Sequence, residues 1–110
     1  MEEELERGPL GRARAAFLDH LSAERALATN TLAAYRRDLV RYVEYLDASG
    51  VRDLGGVTSP QVGSFLTALR EGDEDHAPLG AASAGRTLAA VRGLHRFAVR
   101  EGWATTDPAA

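Results

Sequence analysis

The 110-residue chain contains no cysteine and no lysine, a single methionine, a single tryptophan and few aromatic residues. Without cysteine there is no disulfide, thiol nucleophile or cysteine-ligated zinc, and a reducing cytoplasm suits the chain better than export. No apolar run approaches membrane-spanning length, and the opening MEEELERG is too acidic to begin a signal peptide. No stretch alternates apolar and polar residues as a strand would, so a glycine-rich phosphate loop following a strand is excluded as well. No internal repeat occurs. Because lysine is missing, all 13 basic residues are arginine. With alanine and glycine abundant, this usage fits a GC-rich genome, and a single arginine carries little weight.

What the sequence does have is helical periodicity. Its length supports one domain with one core, and the expected architecture is all-α, a four-helix domain with short connections. Residues 1–8 read as an acidic tail, disordered up to Pro9. Over 10–26, Leu10, Ala13, Phe17, Leu21 and Glu24 share a helix face with Leu18 beside it, and Phe17 and Leu21 anchor it. Thr29 and Asn30 offer oxygens to cap a second helix over 31–49. Its stripe of Leu32, Tyr35, Leu39, Tyr42, Val43 and Leu46 is regular, and Gly50 is placed to end it. Leu54 and Val57 plug inward from a connector. Thr58 and Gln61 form a capping box, with Pro60 in the first turn of a third helix that turns Val62, Phe65, Leu66 and Leu69 inward and ends near Arg70. Residues 71–80 form a polar loop stopped by Pro78. After the fourth helix, Trp103 folds back over the bundle end and Asp107-Pro108 begins an extended exit.

The fourth helix, SAGRTLAAVRGLHRFAVREG over 83–102, is the stretch that points to a function. Ala84, Leu88, Val91, His95 and Ala98 fall on one side, widened by Thr87 and Leu94. Arg86, Arg92, Arg96 and Arg100 fall on another, with Gly85, Ala89 and Gly93 between them. Each glycine costs roughly 1 kcal/mol of helix stability relative to alanine, so solvation alone does not explain the pair. Long cations alternating with nearly bare backbone suit close approach to DNA phosphates. The second helix repeats the pattern more weakly: Arg37 and Arg41 lie opposite its apolar stripe, flanked by Ala33, Ala34 and Ala48, with Glu44 diluting the patch. Arg36 lies at the edge of the stripe, placed to pair with an acid. An arginine-rich proteome solvating two bundle helices would produce the same letters.

Net charge is −3, which at first opposes a nucleic-acid partner. Four glutamates crowd the N-terminus, however, and Glu71, Asp73, Glu74 and Asp75 crowd one loop. Setting those acids and Arg7 aside leaves eight acids against 12 arginines, a balance of +4 on the body. That distribution permits a local basic face.

Other chemistries find little support. His20, His76 and His95 are too scattered for zinc, and His95 reads as a packed, hydrogen-bonded side chain. The 73–76 acids lack calcium-loop spacing, the serines show no triad pattern, and the turns are too long for a helix-turn-helix. Tyr35 and Tyr42 lie on the core stripe, with Tyr45 at its margin, so none is placed as a nucleophile.

The order of features resembles a family. FLDHLSAERALATNTLAAYRRDLVRYVEYL, a short helix started by Thr-Ser-Pro, then SAGRTLAAVRGLHRFAVREGWATTDPA is similar to the N-terminal core-binding domain of the tyrosine recombinases. Within them it is most similar to the bacterial Xer recombinases that resolve chromosome dimers, in particular the D-type subunit. The resemblance covers about residues 15–110. Its most specific pieces are Asn30-Thr31-Leu32 with Tyr35-Arg36-Arg37-Asp38-Leu39, Ala90-Val91-Arg92 with Leu94, and the closing Arg100-Glu101 and Asp107-Pro108. The resemblance implies a SAM-like, orthogonal four-helix bundle over 9–106 that forms half of a C-shaped clamp on duplex DNA, with 107–110 beginning a linker to a catalytic domain. It implies that the second and fourth helices approach the major groove. Asn30, Thr31, Arg37, Arg41, Arg86, Arg92, Arg96 and Arg100 are the candidate DNA contacts. Two departures stand out: Gly93 occupies a position where relatives often carry arginine, and the 71–80 loop is long and acidic. The implied partners are the recombination-site duplex, other recombinase subunits in a tetramer and the chain's own catalytic domain, with no membrane, metal or cofactor. The family's tyrosine nucleophile, arginines, lysine and histidines belong to the catalytic domain, so this stretch is expected to bind and position DNA without cutting it. The alternative is a helical protein-interaction module that does not bind DNA.

Overall fold

The computed structural model describes residues 2–24 and 27–110. Among the described residues five α-helices follow one another: α1 (Glu2–Arg7), α2 (Pro9–Ala23), α3 (Thr29–Ala48), α4 (Ser59–Glu71) and α5 (Ala81–Arg100), with one 3-10 turn at Leu54–Gly56. The fold is all-α, and among the described residues there is no strand. α2 to α5 are the four expected helices. No described helix is long and apolar enough to cross a membrane.

α5 lies at the centre, packed against α2, α3 and α4. That position explains why its buried band is wider than one stripe: Thr87, Ala90, Val91, Leu94, His95, Phe97 and Ala98 are all buried. Ala84 and Leu88, expected on the core face, are only half-buried. From α3 come Leu39, Tyr42, Val43 and Leu46, from α4 Val62, Phe65 and Leu69, and from α2 Leu10, Phe17 and Leu18. Tyr42 and Phe65 pack with ring centroids 4.9 Å apart, and Phe17 meets Phe97 at 5.5 Å.

Local signals act as the letters imply at α4. The Thr58 amide donates to the Gln61 side chain at 2.9 Å, and the Gln61 amide donates back to the Thr58 hydroxyl at 3.4 Å. This closes the capping box. Gly50, at φ +84°, takes the left-handed turn that ends α3.

Three expectations are corrected. The reading of 1–8 as a disordered tail gives way over Glu2–Arg7 to a short helix. Leu5 of that helix packs on the core, and Gly11 lets it lie close on α2: a Cβ there would come within 2.4 Å of Glu6 Cα. The N-cap of α3 is Ala28, not Thr29 or Asn30, and no side-chain oxygen caps it. α2 ends at Ala23, while Ala26, the expected end, lies outside the described residues. Trp103 does fold back, its ring edge-on to Phe97 at 5.5 Å, but it remains 44% exposed.

Candidate nucleic-acid interface

The arginines of α3 and α5 line two separate clefts, one of them along the seam where these two helices meet. At one end of it, Arg36, Arg37 and Arg41 of α3 and Arg86 of α5 line a common cleft of about 410 Å³, with Asp38, Glu44 and His76 also on its walls. Farther along α5, Ala89, Gly93, Arg96, Phe97 and Arg100 line a cleft of about 490 Å³ whose other side is Phe17, His20 and Leu21 of α2, with Tyr35 of α3 at its edge. Arg86 of α5 thus shares a cleft with the α3 arginines, whereas Arg96 and Arg100 open on a second cleft between α5 and α2.

The arginines are not equivalent. Arg86 Nε donates to Asp38 Oδ2 at 2.8 Å and its Nη2 donates to Oδ1 at 2.8 Å, a bidentate pair. The Asp38 side chain is only 8% exposed, that of Arg86 35%. Hydrogen bonding to Asp38 raises the Arg86 pKa further above its usual value. Arg86 therefore ties α5 to α3 and neutralises a buried carboxylate. Arg41, read from periodicity as outward-facing, is largely covered, its side chain 14% exposed. Its Nη2 is buried without a hydrogen-bond partner, 3.7 Å from Asp73 Oδ2. The helical wheel missed this because the 71–80 loop folds back over that side of α3.

Arg37 and Arg96 are exposed, and among the described residues no hydrogen bond or ion pair holds either. Arg92 is exposed, but its Nε donates to the Ala109 carbonyl at 3.2 Å, pinning the segment after α5 back onto the helix. The Ala109 amide in turn donates to Asp107 Oδ1 at 2.9 Å. Arg100 Nη2 donates to His20 Nε2 at 3.1 Å, with its guanidinium carbon 5.3 Å from the centre of the Phe97 ring. Asn30 and Thr31 lie in the first turn of α3, exposed and half-buried respectively. With no side-chain cap at Ala28, that turn keeps free backbone N–H groups at the positive end of the helix dipole.

The two glycines also separate. Nothing lies within 4 Å of a Cβ built at Gly85, so that position is open, exposed backbone next to Arg86. At Gly93 a Cβ would sit 2.8 Å from Phe17 Cζ. Gly93 is bare because α2 packs against it, and the sequence-based reason given for it, close approach of a polyanion, is corrected accordingly.

His95 is the packed histidine expected from its apolar neighbours. Its Nε2 lies 2.6 Å from the Tyr42 hydroxyl in the interior. Burial holds the imidazole pKa down, to about 4, and pushes the Tyr42 hydroxyl up. Both side chains are neutral interior groups, with no part in binding an external anion.

Periodicity alone missed Asp38 and Asp73. Asp38 had a signal: it stands three residues after Tyr35 and four before Tyr42, on the margin of the core stripe, where a carboxylate needs a cation. Asp73 had none, since its place over α3 depends on how the loop closes.

The sequence matches the phage integrase, N-terminal SAM-like domain over residues 15–102. It is 55% identical over 95 residues to tyrosine recombinase XerD of Mycobacterium tuberculosis (strain CDC 1551 / Oshkosh), covering 84% of this chain and 30% of that protein. Similarity to XerD of Corynebacterium glutamicum is 46% over 94 residues, 86% of this chain and 31% of the relative. Tyrosine recombinase XerC of Pseudomonas putida (strain W619) is 36% identical over 94 residues, 86% of this chain and 30% of that protein. The chain thus spans about 30% of the length of these relatives, and it is more similar to these XerD proteins than to this XerC.

Proposed function

Because this chain belongs to the phage integrase N-terminal SAM-like domain family, we propose that it grips duplex DNA along the α3–α5 seam, as one half of a clamp in a site-specific tyrosine recombinase of the Xer type. The observation that carries this reading is the pair of clefts that the arginines of α3 and α5 line, with Arg37 and Arg96 exposed and uncommitted, and with open backbone at Gly85 next to Arg86. Such side chains neutralise phosphates, and the open first turn of α3 at Asn30 and Thr31 adds backbone donors of the same preference. Arg92 and Arg100 are exposed enough to contribute if their present acceptors, a backbone carbonyl and a histidine ring nitrogen, are exchanged for phosphate oxygens. Arg41 adds charge from the base of the first cleft, while the charge of Arg86 is largely offset by Asp38.

In this role the chain binds and positions DNA, while strand cleavage belongs to a catalytic domain. Other recombinase subunits, assembled as a tetramer on the recombination site, are the protein partners, and the cytoplasm is the compartment. The test is the salt dependence of binding to short duplex DNA. Neutralising roughly four to six phosphates gives a log–log slope of about −4 to −5. A slope near zero, or no binding at low salt, overturns the reading in favour of a protein-interaction module.

A further inference from the structure

The seam carries one arrangement that DNA binding alone does not require. Arg41 Nη2 is buried and unpartnered, at the base of a cleft walled by Arg36, Arg37 and Arg86. The nearest acid is Asp73 from the 71–80 loop, whose Oδ2 stops at 3.7 Å, within ionic reach but beyond a hydrogen bond. Asp73 is itself held in place. Its Oδ1 lies 2.9 Å from His76 Nδ1 and accepts from the Asp75 amide at 2.8 Å. These contacts, the His76 one foremost, keep its carboxyl below the usual carboxylate range, so it is ionised at neutral pH. The loop is fastened behind it by Gly72, at φ +78°, and by the Leu79 amide donating to the Leu69 carbonyl at 2.8 Å.

We propose that the 72–76 loop is a built-in anionic competitor: the Asp73 carboxylate covers the position at which a phosphate group would meet Arg41, and the loop must yield before the cleft takes that phosphate. The chemistry matches, since a carboxylate and a phosphodiester offer the same oxygens to a guanidinium. The fit is loose. An ion pair of 3.7 Å to a half-exposed carboxylate is weak and screened by salt, as a displaceable cover should be. Glu71, Glu74 and Asp75, all exposed, add a local negative field but no contact to Arg41. The inference rests on the reading of the seam as a phosphate-binding face, and it concerns how that face is controlled.

The experiment compares Asp73→Asn with Glu74→Gln in the 110-residue chain. Both remove one negative charge from the same loop, and only the first removes the contact. Two probes are titrated: a short mixed-sequence duplex, followed by fluorescence anisotropy, and inorganic pyrophosphate, followed through the Arg41 side-chain Nε–H resonance. Asp73→Asn is expected to tighten duplex binding by about threefold at low salt, and Glu74→Gln by clearly less. The Arg41 resonance should respond to pyrophosphate at lower concentration in Asp73→Asn than in the parent chain. Equal effects of the two substitutions, or none, on duplex binding would mean that only the general field matters, and the inference falls while the DNA reading stands. Absence of duplex binding by all three chains sinks the DNA reading. In that event the pyrophosphate arm decides alone: a shifted Arg41 response supports competition at this site, and an unchanged one overturns it.

Discussion

α3 and α5 are joined by polar side chains at two places, one inside the bundle and one at its rim, and the two are built differently. Inside, Tyr42 and His95 meet at 2.6 Å with both groups uncharged and no exposed surface. At the rim, Arg86 and Asp38 meet through two bonds of 2.8 Å, both charged, with the arginine about one-third exposed. The interior contact fixes how the helices pack and is closed to any outside ligand. The rim contact does the same work while leaving a guanidinium edge at the surface. The difference teaches that an arginine on the proposed DNA-binding seam can be a structural member first, and that only the rim's neighbours are open to exchange.

The interior contact gives the largest expected effect. His95 in the unfolded chain takes up a proton near pH 6.5, but in the folded chain only near pH 4. Between those values the unfolded state binds more protons, so stability falls as pH drops from 6.5 towards 4 and is fully present above 6.5. The loss amounts to up to about 3 kcal/mol. Urea denaturation across that window measures it, with the His95 ring resonances followed alongside. If His95 titrates near pH 6 in the folded chain, the contrast between a closed interior and an open rim fails.

The rim comes next. Arg86→Ala leaves the Asp38 carboxylate buried without its cation and should cost about 2 kcal/mol, the exposed part of the arginine letting water recover some of the loss. That corresponds to a fall in Tm of roughly 10 °C for a domain of this size. Arg96→Ala, a few turns along the same helix, should change stability by less than about 0.5 kcal/mol, yet weaken duplex binding and reduce the salt slope by about one. Equal destabilisation by both substitutions would show that Arg96 has a structural partner, and would remove the distinction between committed and free arginines.

The elements that could be read from the letters alone are those whose physics is local. The capping box at Thr58 and Gln61, the stop at Gly50 and the α3 stripe each involve residues within a turn or two of one another. The arginine faces of α3 and α5 taken singly are local too, because each helix fixes its own faces, but which cleft each arginine enters is not. What escaped reading joins distant residues. Asp38 finds Arg86 across 48 positions, and Asp73 covers Arg41 only because the loop closes back on α3. The Glu2–Arg7 helix escaped because its composition is that of a solvated tail, while its docking, through Leu5 on the core and Glu6 3.7 Å from Arg14, depends on where α2 lies. α5 looked like a helix with one buried stripe because periodicity cannot show that three helices surround it.

Gly85 and Gly93 carry the same lesson at the smallest scale. They occupy the same face of α5, and from the sequence both look like concessions to a close ligand. Only Gly93 is spoken for: a methyl group there would meet Phe17 Cζ at 2.8 Å, and Phe17 is buried against Phe97, so the ring cannot step aside without disturbing the core. Gly93→Ala should therefore lose about 1 kcal/mol, the overpacking outweighing the gain in helix propensity. Gly85→Ala meets nothing and should gain up to about 1 kcal/mol from propensity alone. The two substitutions are chemically identical and are expected to move Tm in opposite directions. Duplex binding then separates stability from function: if the bare backbone at Gly85 admits a phosphate, Gly85→Ala binds more weakly although it is the more stable protein. Unchanged binding would mean that the seam approaches DNA through its side chains only.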